Sequence, residues 1–374
     1  MLRVILALLG GLVLVTAATP TGRYLARAGW EESRILAQRR PITRLVADSA
    51  VPAATRAKLA LVLEARAFAQ DSLGLPAKDA FTQFTQLDRD TLVVVLSGAR
   101  RDALVPVTWW FPIVGRVPYK GFFDVEEAQK AEARLQKDGF DTYLRPAAAF
   151  STLGFFNDPV LSTTLTDDSV GIVQTVIHEL THNRIYLSGR AVFNESFAEF
   201  VGSRGAVEFF RARGDTVNER RAMERWSDEL LLGRAWEMAY GSLDSAFRAH
   251  PDEPGTRSPE PGVARTTADA GAGLSARERR LGARDSVYAR VRRLLVDSIA
   301  PRLRAIDTRY AERVRLDNAA LLARRVYATG LADFEAVWEG EGRSARRALE
   351  RVIAVTRGAN DPLGALRASA ARPR

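Results

Sequence analysis

The sequence predicts an α+β protein in which a small mixed or antiparallel sheet is followed by a predominantly helical region. Three observations carry this. Residues 91–96, TLVVVL, are β-branched and apolar, and extended stretches broken by Pro and Gly cluster between residues 91 and 159. From Ser169 onward, apolar residues recur at helical spacing between cap and stop signals. The 374 residues are 47% apolar, enough to bury a full core.

Taken in order, the pattern from Glu31 to Leu73 is helical and reads as two helices, with Pro52 near the start of the second and Gly74 and Pro76 ending it. TLVVVL is a strand. VPVTWWFPIVGRVPYKGFF (105–123) is extended and punctuated by Pro112, Gly115 and Pro118. A helix is predicted over Val125–Lys137, closed by Gly139, then a strand over Phe140–Arg145, and residues 147–159 are extended before a turn. Helices follow from Ser169 to Leu187 with Gly189 as the stop, from Ala191 to Arg213, and from Glu219 to Phe247. Residues 250–275 are rich in Pro, Gly, Ser and Thr and read as a flexible insertion between helices, which resume at Ala276 and run to the end. One domain over 20–374 is therefore expected.

The first residues, MLRVILALLGGLVLVTAATP, hold an apolar run from Val4 to Ala18. Its length suits a signal-peptide core and is short for a membrane span of about 17–25 residues. Residues 1–19 are expected to be a signal peptide or membrane anchor, which implies export to the periplasm or cell envelope and allows membrane association through residues 4–18. The net charge of +9 raises nucleic acid as a partner. It is discounted: the arginines are interspersed with Glu and Asp in helical stretches, and no aromatic-plus-basic motif accompanies them. The absence of cysteine excludes disulfides, thiolate metal sites and a Cys nucleophile.

Two of the chain's three histidines lie in VIHELTHNRIY, as His178 and His182. Four residues apart on a helix, they share a face and can bind one ion together. Glu179 sits about 100° around the helix from His178, so it can reach a water on that ion without ligating it. This is the HExxH arrangement of zinc peptidases. Val173, Val176, Ile177, Leu180 and Leu187 fall on the opposite side and should pack into the core. The histidine side, with Gly171, Gln174 and Thr175, suits a cleft. Zn2+ needs a third protein ligand. Glu195 follows His182 by thirteen residues in AVFNESFAEFVG, with Glu199 one turn further. One of these carboxylates can ligate while the other accepts the free ring N–H of a ligand histidine.

AVFNESFAEFVG resembles the second motif of thermolysin-type gluzincins. That resemblance implies a zincin-like fold, Glu195 as the third ligand, Glu199 as the acid that braces a ligand histidine, and Asn194 as its usual neighbour. The connection between the motifs is shorter here than in thermolysin. The whole chain also resembles a bacterial family of predicted aminopeptidases, through RRPITRLVAD, WWFPIVGRVPYKGFF, FSTLGFFNDPVLST, FNESFAEFV and LDNAALLARRVYATG. Many members carry a cysteine pair in the Trp-Phe-Pro block; Trp110 and Arg116 stand at those positions. Many also carry a lipoprotein cysteine, which this chain lacks.

The function expected is that of a zinc-dependent peptidase acting on peptide substrates, with Glu179 as general base and later proton donor to the leaving amine. "Aminopeptidase" is what the family resemblance implies. A zinc endopeptidase remains open, as does a catalytically silent envelope protein whose zinc is structural and whose helices bind a partner. An oxyanion donor is also needed. Tyr327 is preferred, with Tyr186 and Asn318 as further candidates, since His250 falls in the flexible loop. Residues 147–153 are a candidate edge for an extended peptide, Asp158 a candidate for holding an α-ammonium, and Trp109, Trp110 and Phe111 a packing cluster.

Overall fold

A computed structural model describes residues 19–88, 93–111, 115–147, 159–166, 168–251 and 275–371. The expected export segment, most of the candidate peptide edge at 147–153, Asp158 and nearly all of the 250–275 insertion lie outside the described residues. No helix among the described residues is long and apolar enough to cross a membrane.

The first described element is helix α1 (Pro20–Ala37), whose N-cap Thr19 side chain accepts from the Gly22 N–H. A short strand β1 (Arg40–Pro41), a one-turn helix α2 (Ile42–Ala47) and α3 (Ala53–Asp71) follow. The two helices expected between Glu31 and Leu73 are thus separate from the end of α1, because Pro41 and Pro52 each interrupt the pattern.

The mixed and antiparallel pairing expected of the sheet is present. Strand β1 pairs antiparallel with β2 (Gln83–Thr85), and β2 runs parallel to β8 (Val160–Leu161). Strand β3 (Val93–Arg100) is the centre of a second sheet, antiparallel to both β6 (Lys120–Phe122) and β7 (Phe140–Ala147). Strands β4 (Trp109–Phe111) and β5 (Gly115–Val117) form a hairpin in which Trp110 faces Arg116. Successive strand residues point to opposite faces. Val94, Leu96, Phe122 and Leu144 pack under Ala128, Ala131 and Leu135 of helix α4 (Val125–Lys137). Val93 and Val95 join Ile35 and Leu161 on the other face.

That second face meets the helical body, and alternate residues of β7 make the joint. Asp141 Oδ2 accepts from the Arg284 guanidinium at 2.7 Å and from the Asn318 N–H at 3.0 Å. The Arg324 guanidinium lies 5.2 Å from the Tyr143 ring centre. Arg145, the next residue on this face, carries a charge felt by the Tyr327 hydroxyl.

The helical body consists of α5 (Ser169–Arg184), α6 (Ala191–Ala212), α7 (Thr216–Arg248), α8 (Ala276–Leu294) and the shorter α9 (Tyr310–Arg313), α10 (Asn318–Arg325), α11 (Leu331–Gly340), α12 (Ala345–Thr356) and α13 (Pro362–Ala370). Phe193, Phe197 and Phe200 of α6 stack against one another and on Phe334 of α11, with the Phe197–Phe334 and Phe200–Phe334 centres 5.5 and 5.4 Å apart. This fixes which face of α6 turns inward to the core and which is left for α5.

Three boundaries differ from expectation. Helix α5 stops at Arg184 rather than Leu187, since Ile185 turns extended at φ −151° and ψ 134°. Helix α7 starts at Thr216 rather than Glu219, because Asp215 caps it by accepting from the Asn218 N–H at 3.0 Å. Helix does not continue unbroken from Ala276. After α8 come a π turn at Leu295–Ile299 and a 3-10 turn at Ala300–Arg302. The buried Asp228 carboxylate then gathers the N–H groups of Arg304, Ala305 and Ile306 at 2.8–3.0 Å, replacing helical partners.

Candidate metal centre

Helices α5 and α6 form a hairpin, and its turn is built by two residues. Gly189 takes φ +72°, a conformation that disfavours side chains. Asn194 brackets one residue of the turn: its Nδ2–H donates to the Leu187 carbonyl at 2.8 Å, and its Oδ1 accepts from the Leu187 N–H at 2.9 Å. Asn194 therefore fixes the approach of α6 to α5 and does not touch the histidines directly. Close packing of the two helices also depends on Gly202, where a Cβ would stand 2.8 Å from the Gln174 carbonyl oxygen and 3.2 Å from the His178 Cβ.

This approach brings His178, His182 and Glu195 together, with one potential ligand atom from each lying within 4.8 Å of the others. Glu195 Oε2 lies 3.3 Å from His178 Nε2 and 3.8 Å from His182 Nε2. Ligand atoms on a tetrahedral ion with bonds of about 2.0–2.1 Å are spaced about 3.3 Å apart, so the set fits a cation of that size. The donor chemistry, two imidazoles and one carboxylate, also suits zinc.

Glu199 stands on the far side of His178, its Oε2 3.7 Å from Nδ1. Its other oxygen accepts from Gln174 Nε2–H at 2.5 Å, and Gln174 also donates to Ser203 Oγ at 3.1 Å. The side chain of Glu199 is thereby held on the non-ligating nitrogen of His178. His182 Nδ1 is buried and has no hydrogen-bond partner among the described residues. Glu179 is exposed, and its charge reaches His178.

The charges are coupled. Burial opposes a charged His178, but the carboxylates of Glu195 and Glu199 outweigh it and hold the imidazole pKa up at about 10. Burial and then the charge of His178 push His182 down to about 4. Burial resists ionisation of Glu195 too, yet the hydrogen bond from His178 keeps its carboxyl below the usual range.

The histidine face of α5 is more enclosed than an open cleft, because Gln174 and His178 lie against α6. The opposite face packs as expected, with Val173, Val176, Ile177 and Leu180 all buried. Three tyrosines stand around the centre. The Tyr327 ring centre is 6.5 Å from that of His178, and the Tyr186 ring centre is 6.3 Å from that of His182. Tyr119, just before β6, feels the charges of Glu195 and Tyr186. Burial first, then Glu195, raises the Tyr327 hydroxyl to about 12. Asn318 is elsewhere. It is fully buried, donates to the Arg100 carbonyl at 2.8 Å and accepts from the Tyr288 hydroxyl at 2.8 Å, so it is a joint of the fold and no oxyanion donor. The Trp109–Phe111 cluster is only partly packed: Phe111 meets Tyr24 at 5.4 Å, whereas Trp110 is 59% exposed.

A family model described as "Putative aminopeptidase" matches residues 23–361. The chain belongs to this family. No curated protein and no solved structure matches it. Sequence reasoning placed Gln174 on the histidine face without giving it a role, and passed over Ser203, Tyr119 and Arg145. Gln174 was legible in principle, one turn before His178 on the same face. Arg145 and Tyr119 reach the centre only through the pairing of β3 with β6 and β7, which no local spacing encodes.

Proposed function

We propose that this protein is a zinc-dependent peptidase, with an aminopeptidase as the form its family favours. The observation that carries the reading is the shared position of Glu195 Oε2 between the two histidine Nε2 atoms. His178, His182 and Glu195 would hold the ion. When bound, zinc supplies Lewis acidity toward a carbonyl oxygen and acidifies water.

The remaining work falls to the chain's own groups. Glu179, exposed and next to a ligand but outside the ligand set, takes a proton from the attacking water and delivers it to the leaving amine. Glu199, anchored by Gln174, orients His178 through Nδ1. Tyr327, kept protonated at neutral pH, is placed to donate its O–H to the developing oxyanion. Residues 1–19 direct export in this reading, and residues 20–374 form one catalytic domain. A tagged chain found outside the cytoplasm would support the first part; one retained in the cytosol would refute it.

The deciding experiment compares wild type with Glu179→Gln on a panel of free and N-blocked peptides, with and without chelator. Wild type should hold about one zinc per chain and cleave at least one peptide in a chelator-sensitive way. Glu179→Gln should keep its zinc and its melting temperature while losing about 10²–10⁴-fold in rate. Equal rates would sink the mechanism. A zinc-loaded wild type that cleaves no peptide would favour the silent-binder alternative, and preference for N-blocked substrates would favour an endopeptidase.

A further inference from the structure

Beside the candidate metal centre stands a cation that the proposed chemistry leaves unused. Arg145 lies on β7 opposite Val95, on the face of the sheet that meets the helical body. Its side chain is half-buried, and among the described residues it forms no salt bridge. Its charge is felt by the hydroxyl of Tyr327, whose ring lies 6.5 Å from that of His178. Its charge is felt by Glu195 and by Tyr119. Ordering a guanidinium costs side-chain entropy, and partial burial costs hydration. Of the other cations at the sheet–helix joint, Arg284 has Asp141 and Arg280 has Asp102, while Arg324 stacks on Tyr143 and donates to the Arg315 carbonyl. Arg145 has no such carboxylate among the described residues and lies on the sheet face that meets the helical body.

Resting on the peptidase reading, we propose that Arg145, with the hydroxyl of Tyr119, forms an anion subsite beside Tyr327 that binds a substrate carboxylate one residue beyond the scissile bond. The guanidinium presents a planar fork that matches a carboxylate in bidentate fashion. Tyr119 and Tyr327 are 46% and 37% exposed, so both are open to a ligand. Burial and the nearby Glu195 hold both phenols protonated and able to donate. Consecutive Cα atoms are about 3.8 Å apart. In the proposed pose, a carboxylate on the residue that follows a bond cleaved at His178, His182 and Glu195 lies past the Tyr327 ring, which is 6.5 Å from that of His178, and meets Arg145. The substrate class is a dipeptide, whose terminal carboxylate sits there, or a longer peptide with an acidic side chain at that residue. Both present the same ligand chemistry.

The test measures binding, so it does not depend on turnover. Zinc-loaded Glu179→Gln protein is titrated calorimetrically with leucyl-leucine, leucyl-leucinamide and leucyl-glutamate α-amide. The free acid should bind about 10–100-fold more tightly than the amide, the range expected for hydrogen bonds between charged groups. Adding Arg145→Gln should bring that ratio close to one. If leucyl-glutamate α-amide binds as tightly as leucyl-leucine, the subsite takes a side-chain carboxylate as well as a chain terminus; if it binds like the leucinamide, only the chain terminus is taken. Equal binding of acid and amide by the Glu179→Gln protein, or a ratio untouched by Arg145→Gln, would overturn the subsite. Should Arg145→Gln fail to fold, Arg145→Lys decides, because a full-sized ratio without the fork would also overturn it. The peptidase reading fails separately. If wild type cleaves nothing yet the acid is still bound through Arg145, the subsite stands and the proposed chemistry falls.

Discussion

Glu195 and Glu199 are one helical turn apart on α6, yet they meet opposite nitrogens of His178. Their substitutions should therefore differ. Glu195→Ala removes a ligand and should lose most of the zinc. Glu199→Ala leaves the ligand set whole but frees Gln174 and the Nδ1 side of His178, and should weaken zinc binding about 10–100-fold. Metal titration against a competing chelator checks both, and the opposite order would reverse the two roles. The candidate ligand cluster was legible because histidine is so scarce in this chain that two of them at helical spacing stand out. Asn194 was legible as part of a motif but not in its action, since a clamp on the Leu187 peptide depends on where the chain turns. Arg145 left no local mark, being one arginine among many until strand pairing places it.

At the scale of elements, the α5–α6 contact rests on the absence of a side chain at Gly202. In Gly202→Ala the new Cβ would meet a backbone carbonyl at 2.8 Å, and that carbonyl belongs to the helix carrying both histidines. Neither helix can give way without disturbing the Phe193–Phe197–Phe200 stack behind α6. A loss of about 1–3 kcal/mol in denaturant unfolding is expected, together with weaker zinc binding. Gly241→Ala on α7 is the control, because nothing lies within 4 Å of its added Cβ. It should be neutral or stabilising by up to about 1 kcal/mol. The sequence marked α4 and the start of α6 well, since Asp124 and Gly139 bracket the first and Gly189 precedes the second. It missed the end of α5 because Ile185 obeys tertiary packing over helical period, and it missed the break after α8 because the partner of those amides, Asp228, lies on another helix.

Across the whole molecule, buried charge couples folding to pH and joins sheet to helices. Burial, then the charge of Glu199, raises the half-buried Glu229 carboxyl from 4.5 to about 7. Its folded pKa exceeds its unfolded one, so between those values the native state binds more protons and stability falls as pH rises. Metal-free protein should lose on the order of 2 kcal/mol between pH 4.5 and 7 from this group, and Glu229→Gln should flatten that slope in urea unfolding. The joint at Asp141 gives the sharper test. Asp141 and Arg284 are both buried, and the same carboxylate accepts the Asn318 N–H that starts α10. Burial raises the Asp141 carboxyl, while Arg284 pulls it back toward ionisation. Asp141→Asn would leave the guanidinium in the joint facing a neutral amide, at a cost of about 3 kcal/mol. Replacing both partners, Asp141→Asn with Arg284→Met, removes the stranded charge and should recover part of that loss, which a double-mutant cycle in urea measures. The same joint sets the register of β7 against α10, and so the distance from Arg145 to Tyr327. In a folded Asp141→Asn protein the preference for dipeptide acid over amide should therefore shrink while zinc content holds, since all three ligands sit on α5 and α6. Loss of zinc with an intact preference would show that the joint supports the metal helices instead.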